Sequence, residues 1–474
     1  MLDQLMKGMM PDGGKEKTKE EKPKKSEFEG FAECLLFSET ARITVDEDAL
    51  LITTALDQLP IPYGEIISFV FTNYRLEIVT VHETITISQM GQTGQWLYDH
   101  LYAAYNAAVL KAFLVEGSPE MEVRGSFETE DAGGTIQGEA VVRLYKNCVC
   151  ILPANDHGRR IPLCFVSGIE KGNFSLTLSL LTGERYMLSK MGYETDHFIG
   201  KVTEGLRSLR ERSVTQLQEC DSSLRSMQAA MAAKLMPEGV NAAVGKLSAA
   251  APTLMAELEK LIKESRISGS YPVLKRLCGD ERLFFGMKAP VKEEGKQPTL
   301  SGMPVISGGD DSKMNAAVPG PQKPLFWLIA VGKETAAVEL ALPGDEAAAT
   351  YLYRIEGEPE TFALILNHGM EATDFRRELF TLTDEELAKP GRMTEAMLIH
   401  RTPALQLMRK CFVGRVIHSS PEKWEREMEK YLSSIHERGK EGEQQQQTRF
   451  CTNCGAKISS GAKFCGECGA KISL

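Results

Sequence analysis

Apolar and polar residues alternate through the first half of the chain with the period of two that a half-buried strand imposes. Runs of this kind occupy Ala49 to Thr53, Ile66 to Phe71, Leu76 to Val81 and Thr84 to Ser88. A second set follows at Val141 to Leu144, Val149 to Leu152, Leu176 to Leu181 and Tyr186 to Ser189. Each set ends at a Met-Gly pair, Met90-Gly91 or Met191-Gly192, beyond which the apolar spacing becomes helical. Trp96, Leu97, Leu101, Tyr105 and Val109 form one apolar stripe, and Phe198, Ile199, Val202, Leu206 and Leu209 form the other. The two segments overlay almost without a gap. Ile61-Pro62, Ser68, Asn73, Leu76 and Ser88 to Gly91 align with Ile161-Pro162, Ser167, Asn173, Leu176 and Ser189 to Gly192, at an offset of 100 residues that rises to 101. The expectation is an internal repeat: residues 28–116 and 117–213 each form an antiparallel sheet closed by a C-terminal helix.

The second stripe continues past its module. Small or apolar residues at Ser213, Leu217, Cys220, Leu224, Met227 and Met231 keep steps of 3 and 4, which predicts one helix from about Glu194 to Leu235, roughly 60 Å long. After the break at Met236-Pro237-Glu238-Gly239, Leu247, Ala251, Leu254, Leu258 and Leu261 offer a partner seam. Residues 214–270 are therefore expected to form a helical hairpin, with coiled-coil dimerisation through the 199–231 helix as the alternative. Residues 288–323 are rich in Pro, Gly, Ser, Lys and Asp without periodicity and read as a disordered linker or loop. Strand-like runs flank them at Leu283 to Phe285, Leu325 to Val331, Ala337 to Leu342 and Ala349 to Ile355, so residues 271–287 and 324–437 read as a third α/β module. Helix starts follow: Thr383 to Glu386 has the capping-box pattern, and Thr402-Pro403 and Ser420-Pro421 each place a cap residue before a first-turn proline.

A meander of short strands closed by one helix, as at Ile61 to Val109 and Ile161 to Leu209, resembles the pleckstrin-homology-like (PH-like) superfold. That resemblance implies a fold which hosts lipid-binding, peptide-binding and purely structural roles. Charge weighs against the lipid role for the first copy. From Glu27 to Glu116, three basic residues face thirteen acidic ones, and a net charge of −10 opposes anionic membranes. The second copy is nearly balanced; Lys146, Arg159, Arg160, Lys171 and Arg185 read as solvated surface charge, with weak phosphate contact as the alternative.

The chain has 474 residues, enough for several domains, with an ordinary soluble composition and a net charge of −10 that does not favour wholesale nucleic-acid binding. Residues 1–27 read as a disordered charged tail, and Asp3 and Lys7 break the apolar stretch that a signal peptide would need. The cytoplasm is the expected compartment. The seven cysteines at 34, 148, 150, 164, 220, 278 and 411 then read as reduced thiols, and the nearness of Cys148 and Cys150 to Cys164 reads as burial rather than a second metal or redox site.

The last 25 residues repeat one phrase. Phe450-Cys451-Thr452-Asn453-Cys454-Gly455-Ala456-Lys457 is answered by Phe464-Cys465-Gly466-Glu467-Cys468-Gly469-Ala470-Lys471. Each C-x-x-C-G makes a knuckle that converges two thiolates, and two knuckles complete a tetrahedral set. Cys451, Cys454, Cys465 and Cys468 are thus the expected ligands of one structural Zn²⁺. Four protein ligands leave no open position for catalysis, and so short a segment depends on the metal to fold. Residues 450–474 resemble the short zinc ribbons appended to many bacterial proteins, and residues 438–449, with four glutamines, read as a flexible tether.

Catalytic signatures do not emerge. There is no G-x-x-x-x-G-K-[ST], no G-x-S-x-G and no H-E-x-x-H; His82-Glu83 lacks the second histidine, since Thr86 stands four residues on. His400 and His418 flank Cys411, a nucleophile-and-base pairing only if the fold joins them. The stretch from Arg376 to Val416 carries eight basic and five acidic residues, including Arg376, Arg377, Arg401, Arg409, Lys410 and Arg415. The expected role is a non-enzymatic cytoplasmic adaptor for a protein partner. The alternatives are a nucleic-acid-associated regulator using the ribbon and the 376–415 region, and an enzyme with an unrecognised site in the third module.

Overall fold

The computed structural model describes residues 26–131, 134–265, 267–288, 325–341, 349–389 and 391–433, with the strand pair Arg449–Phe450 and Lys457–Ile458. Three antiparallel sheets of six or seven strands and twelve α-helices make up most of the described part, and the C-terminal strand pair is a small fourth sheet.

The first sheet comprises β1 (Ser26–Glu33), β2 (Ser38–Val45), β3 (Ala49–Thr53), β4 (Gln58–Pro62), β5 (Ile66–Thr72), β6 (Arg75–Thr80) and β7 (Thr84–Ser88), in the order β4-β3-β2-β1-β7-β6-β5. The strands alternate as the sequence pattern requires: on β6, Leu76, Ile78 and Thr80 are buried while Arg75 and Glu77 face out. Helix α1 (Thr93–Ala112) closes this sheet with Leu97, Leu101, Tyr105 and Val109. The second sheet comprises β8 (Met121–Asp131), β9 (Gly134–Leu144), β10 (Cys148–Pro153), β11 (Arg159–Pro162), β12 (Val166–Gly172), β13 (Ser175–Leu180) and β14 (Arg185–Ser189). Its order, β11-β10-β9-β8-β14-β13-β12, follows the same pattern, and α2 (Thr195–Cys220) follows it. Ile61 lies on β4 opposite Leu50, and Ile161 on β11 opposite Val149.

Two glycines show how alike the closures are. A Cβ on Gly30 of β1 would stand 3.0 Å from the Ser88 carbonyl oxygen and 2.7 Å from Met90 Cγ. On Gly125 of β8 it would stand 2.5 Å from the Ser189 oxygen and 2.9 Å from Met191 Cγ. In each module the first strand crosses the strand-to-helix corner too closely for a side chain.

The third sheet, β15 (Ala242–Ala243), β16 (Leu283–Lys288), β17 (Leu325–Val331), β18 (Thr335–Ala341), β19 (Ala349–Arg354) and β20 (Phe412–Ile417), runs in chain order. Because β16 pairs directly with β17, Leu283 against Ala330 and Lys288 against Leu325, residues 289–324 are an insertion between neighbouring strands. Both faces of the central strands are covered. Trp327, Ile329 and Val331 share one core with α7 (Pro359–Ala372), while Phe326, Leu328 and Ala330 face the opposite core. That opposite core is closed by α3 (Ser226–Leu235), α4 (Val244–Ala250), α5 (Pro252–Lys263), α6 (Ser270–Cys278) and α12 (Pro421–Ser433). The short helices α8 (Glu378–Thr381), α9 (Asp384–Leu387), α10 (Met393–His400) and α11 (Pro403–Cys411) complete the α7 side. The capping box expected at Thr383 is present, Ser420 Oγ accepts the Lys423 N–H at 3.2 Å, and Thr402 precedes its first-turn proline without a side-chain cap.

Two expectations fail here. The helix expected from Glu194 to Leu235 ends at Cys220, because Asp221 Oδ1 accepts the Ser223 N–H at 2.9 Å and its hydroxyl at 2.6 Å, a local turn that competes with helix continuation. The 214–270 hairpin is likewise not a separate unit. Its helices pack into the third body's core, and the Pro237-Glu238-Gly239 break feeds β15, where Ala242 and Ala243 pair with Phe285 and Phe284. Met227 and Met231 of the expected seam are exposed. The third body therefore begins before residue 271.

A candidate metal centre and a buried polar junction

The C-terminal strand pair sets Arg449 against Ile458 and Phe450 against Lys457. The four expected ligands, Cys451, Cys454, Cys465 and Cys468, lie outside the described residues, as do the 438–448 tether, the 1–25 tail and most of the 288–323 linker. Among the described residues no group of three or more His, Cys, Asp or Glu side chains is arranged to hold a metal ion. Residues 450–472 match the zinc-ribbon domain family. The C-terminal segment is a zinc ribbon. Its donor set, four thiols in two C-x-x-C pairs, is the set that Zn²⁺ takes in closed structural sites; as thiolates Cys451, Cys454, Cys465 and Cys468 would hold it. Comparison with curated proteins gives no match.

The densest polar chemistry among the described residues lies elsewhere, where the second module meets α7. Arg160 of β11 forms a two-pronged ion pair with Glu371, at 2.7 and 2.8 Å, and both side chains are about nine-tenths buried. Burial alone would raise the Glu371 carboxyl, but the Arg160 charge and hydrogen bonds, with Lys288 behind them, outweigh it and hold the group at about 2. Lys288 pairs with Asp374 at 3.0 Å and stands over the Phe375 ring. One turn before Glu371, His368 stacks on Phe165 with its Nδ1 3.7 Å from Glu184, too far to bond, and burial pulls its pKa down. Cys148 and Cys150 lie beneath, sulfurs 3.9 Å apart on one face of β10. The Cys150 contact and the Arg160 charge lower the Cys148 thiol despite burial, while burial pushes Cys150 and Cys164 well up.

The first module joins the same assembly. Phe69 N–H donates to the Ala154 carbonyl at 3.0 Å and Asp156 N–H to that of Ile67 at 2.8 Å, an antiparallel contact along β5. Tyr105 donates its hydroxyl proton to the Asn155 carbonyl at 2.8 Å and receives Arg401 Nη2 at 2.8 Å. Arg401 is 3 % exposed, and its Nε makes no hydrogen bond.

This placement corrects several sequence readings. Arg159 and Arg160 are not solvated surface charge: Arg159 is buried and donates to the Gly158 carbonyl. Lys171 and Arg185 are exposed and paired with Asp196 and Glu170, and Lys146 is exposed. The 376–415 stretch is not one basic face either, since Arg401 is internal and Arg409 is paired with Asp384. Cys411 and His418 do not meet as nucleophile and base. Burial raises the Cys411 thiol, which lies near Glu356, whereas His418 Nε2 bonds to Glu339 at 2.9 Å and to Thr350 at 3.0 Å; His400 is exposed at the end of α10. The Arg160–Glu371 pair spans 211 positions, and no local pattern in the sequence announces it.

Proposed function

We propose that this chain is a non-enzymatic cytoplasmic adaptor in which two PH-like modules and a third α/β body form a platform, and a structural zinc ribbon presents itself to a protein partner. The PH-like reading is supported by the seven-strand order common to both modules, in which the first strand bridges to the seventh and a helix follows. The adaptor reading rests on one observation above all: the polar side chains at the junctions bind one another. Arg160, Glu371, Lys288 and Arg401 hold the three sheets together, which suits a rigid carrier of surfaces. No helix among the described residues is long and apolar enough to cross a membrane. The zinc, one ion per chain in this reading, would fold the ribbon without taking part in chemistry.

Affinity capture with the full chain and with a chain cut at Glu441 tests the proposal. A defined protein retained by the first and lost by the second supports the adaptor. Salt-dependent retention on DNA or RNA, with no protein partner surviving stringent washing, replaces it with the nucleic-acid regulator.

A further inference from the structure

A cavity of about 800 Å³ separates α1 from the outer face of the β8–β9 hairpin. Its volume lies within the range of ligand sites, and it sits between two modules, where such sites concentrate. One wall is a stripe of α1 at helical spacing, Tyr98, Tyr102 and Asn106. The other is one face of the hairpin, built of the cross-strand pairs Ser126/Glu139, Arg124/Val141 and Glu122/Arg143.

Chemistry changes in order along the cavity. Tyr98, Asp99, Glu139 and Arg124 line the aromatic end together, so two carboxylates share it, and Asp99 Oδ1 accepts the Gln95 amide N–H at 3.0 Å. Tyr102, one turn on, lines the cavity with Arg124 and Arg143; its hydroxyl accepts the Val141 N–H at 3.2 Å and donates to the Leu152 carbonyl. Arg143 is already paired with Glu122 at 2.7 Å, whereas Arg124 makes no hydrogen bond or ion pair among the described residues. At the far end Asn106 is 3 % exposed: its amide N–H donates to the Tyr102 carbonyl at 3.0 Å, and its Oδ1 has no partner. A buried acceptor left empty is destabilising, so a donor supplied from the cavity is favoured there.

We infer that this cavity binds the free amino end of an extended peptide. The α-ammonium sits between Asp99 and Glu139 against the Tyr98 ring, a main-chain carbonyl meets Arg124, and an amide N–H satisfies Asn106 Oδ1. The spacing agrees. Tyr98 to Asn106 is eight helical residues, about 12 Å, and three extended residues span about 10 Å. A carboxylate or phosphate ligand would meet Arg124 only beside two carboxylates, and a bare polyamine would leave Arg124 unmatched. The inference stands apart from the adaptor reading, because the cavity involves neither the ribbon nor the third body.

Calorimetric titration of the full chain tests it, with alanyl-leucyl-alanine amide, its N-acetyl form, spermidine and adenosine monophosphate as probes. The free-amine peptide is expected to saturate one site and to bind about tenfold or more tightly than the acetylated one, as a lost charge-assisted contact implies. Glu139→Gln and Arg124→Gln, both at exposed positions, should each weaken the free peptide severalfold, and Glu139→Gln should narrow its advantage over the acetylated form. The inference is overturned by any of three results: no saturable binding of the free peptide, equal binding of the acetylated peptide, or binding of spermidine or the nucleotide as tight as that of the peptide.

Discussion

Replacing Arg160 with methionine removes one charge from the junction and leaves the other in place. Glu371 is 8 % exposed and accepts both prongs of the guanidinium, so in Arg160→Met a buried carboxylate loses its hydrogen-bonded partner and keeps only the more distant influence of Lys288 and His368. Two independent routes give the size of the effect. A carboxyl held from its ordinary 4.5 down to about 2 is linked to about 3 kcal/mol of stability at neutral pH. Breaking a buried ion pair by removing one partner costs about 3–5 kcal/mol in general. The double variant Arg160→Met/Glu371→Leu, which replaces the pair with apolar groups of similar bulk, should recover most of that loss. Urea unfolding followed by tryptophan fluorescence is a suitable assay, because Trp327 and Trp424 are buried in the two cores of the third body. Thiol reactivity of buried Cys148 reports opening of the junction itself. Glu371 titrates below its unfolded value, so its contribution is present above pH 4.5 and lost as pH falls toward about 2. Glu371→Gln should flatten that part of the stability profile. A loss below about 1 kcal/mol in Arg160→Met, or a double variant as unstable as the sum of the singles, would show that the pair does not hold the junction.

Further tests address the other links. Cys465→Ser should abolish zinc binding, read by elemental analysis of the purified chain, while the tryptophan unfolding transition of the body stays where it was; native protein without zinc sinks the metal assignment. Gly125→Ala should destabilise by about 1–3 kcal/mol, since its Cβ would stand 2.5 Å from the Ser189 carbonyl oxygen, and a neutral result would mean that this crossing is looser than described. Tyr105→Phe deprives the buried Arg401 of a hydrogen bond and should cost about 1–3 kcal/mol in a thermal melt, with unchanged stability refuting a binding role for that contact.

What the sequence determined by itself was whatever depends on spacing within a few residues. Strand alternation, the stripe of α1 apart from the exposed Trp96, the capping box at Thr383 and the doubled C-x-x-C-G were legible, because each is a local rule relating neighbouring side chains to one backbone geometry. The end of α2 was missed, because the apolar stepping across Asp221-Ser222-Ser223 concealed the turn that those residues make. Tertiary structure alone decided the rest. Arg160 read as a surface charge until the fold buried it against a carboxylate 211 residues away, and the hairpin helices read as self-sufficient until β15 drew them into the third sheet. The cavity beside Asn106 likewise exists only because one face of β8 and β9 stands opposite α1. Burial and charge pairing are sums over the whole assembled surface, whereas periodicity is a property of one segment; a chain read alone carries the second and not the first.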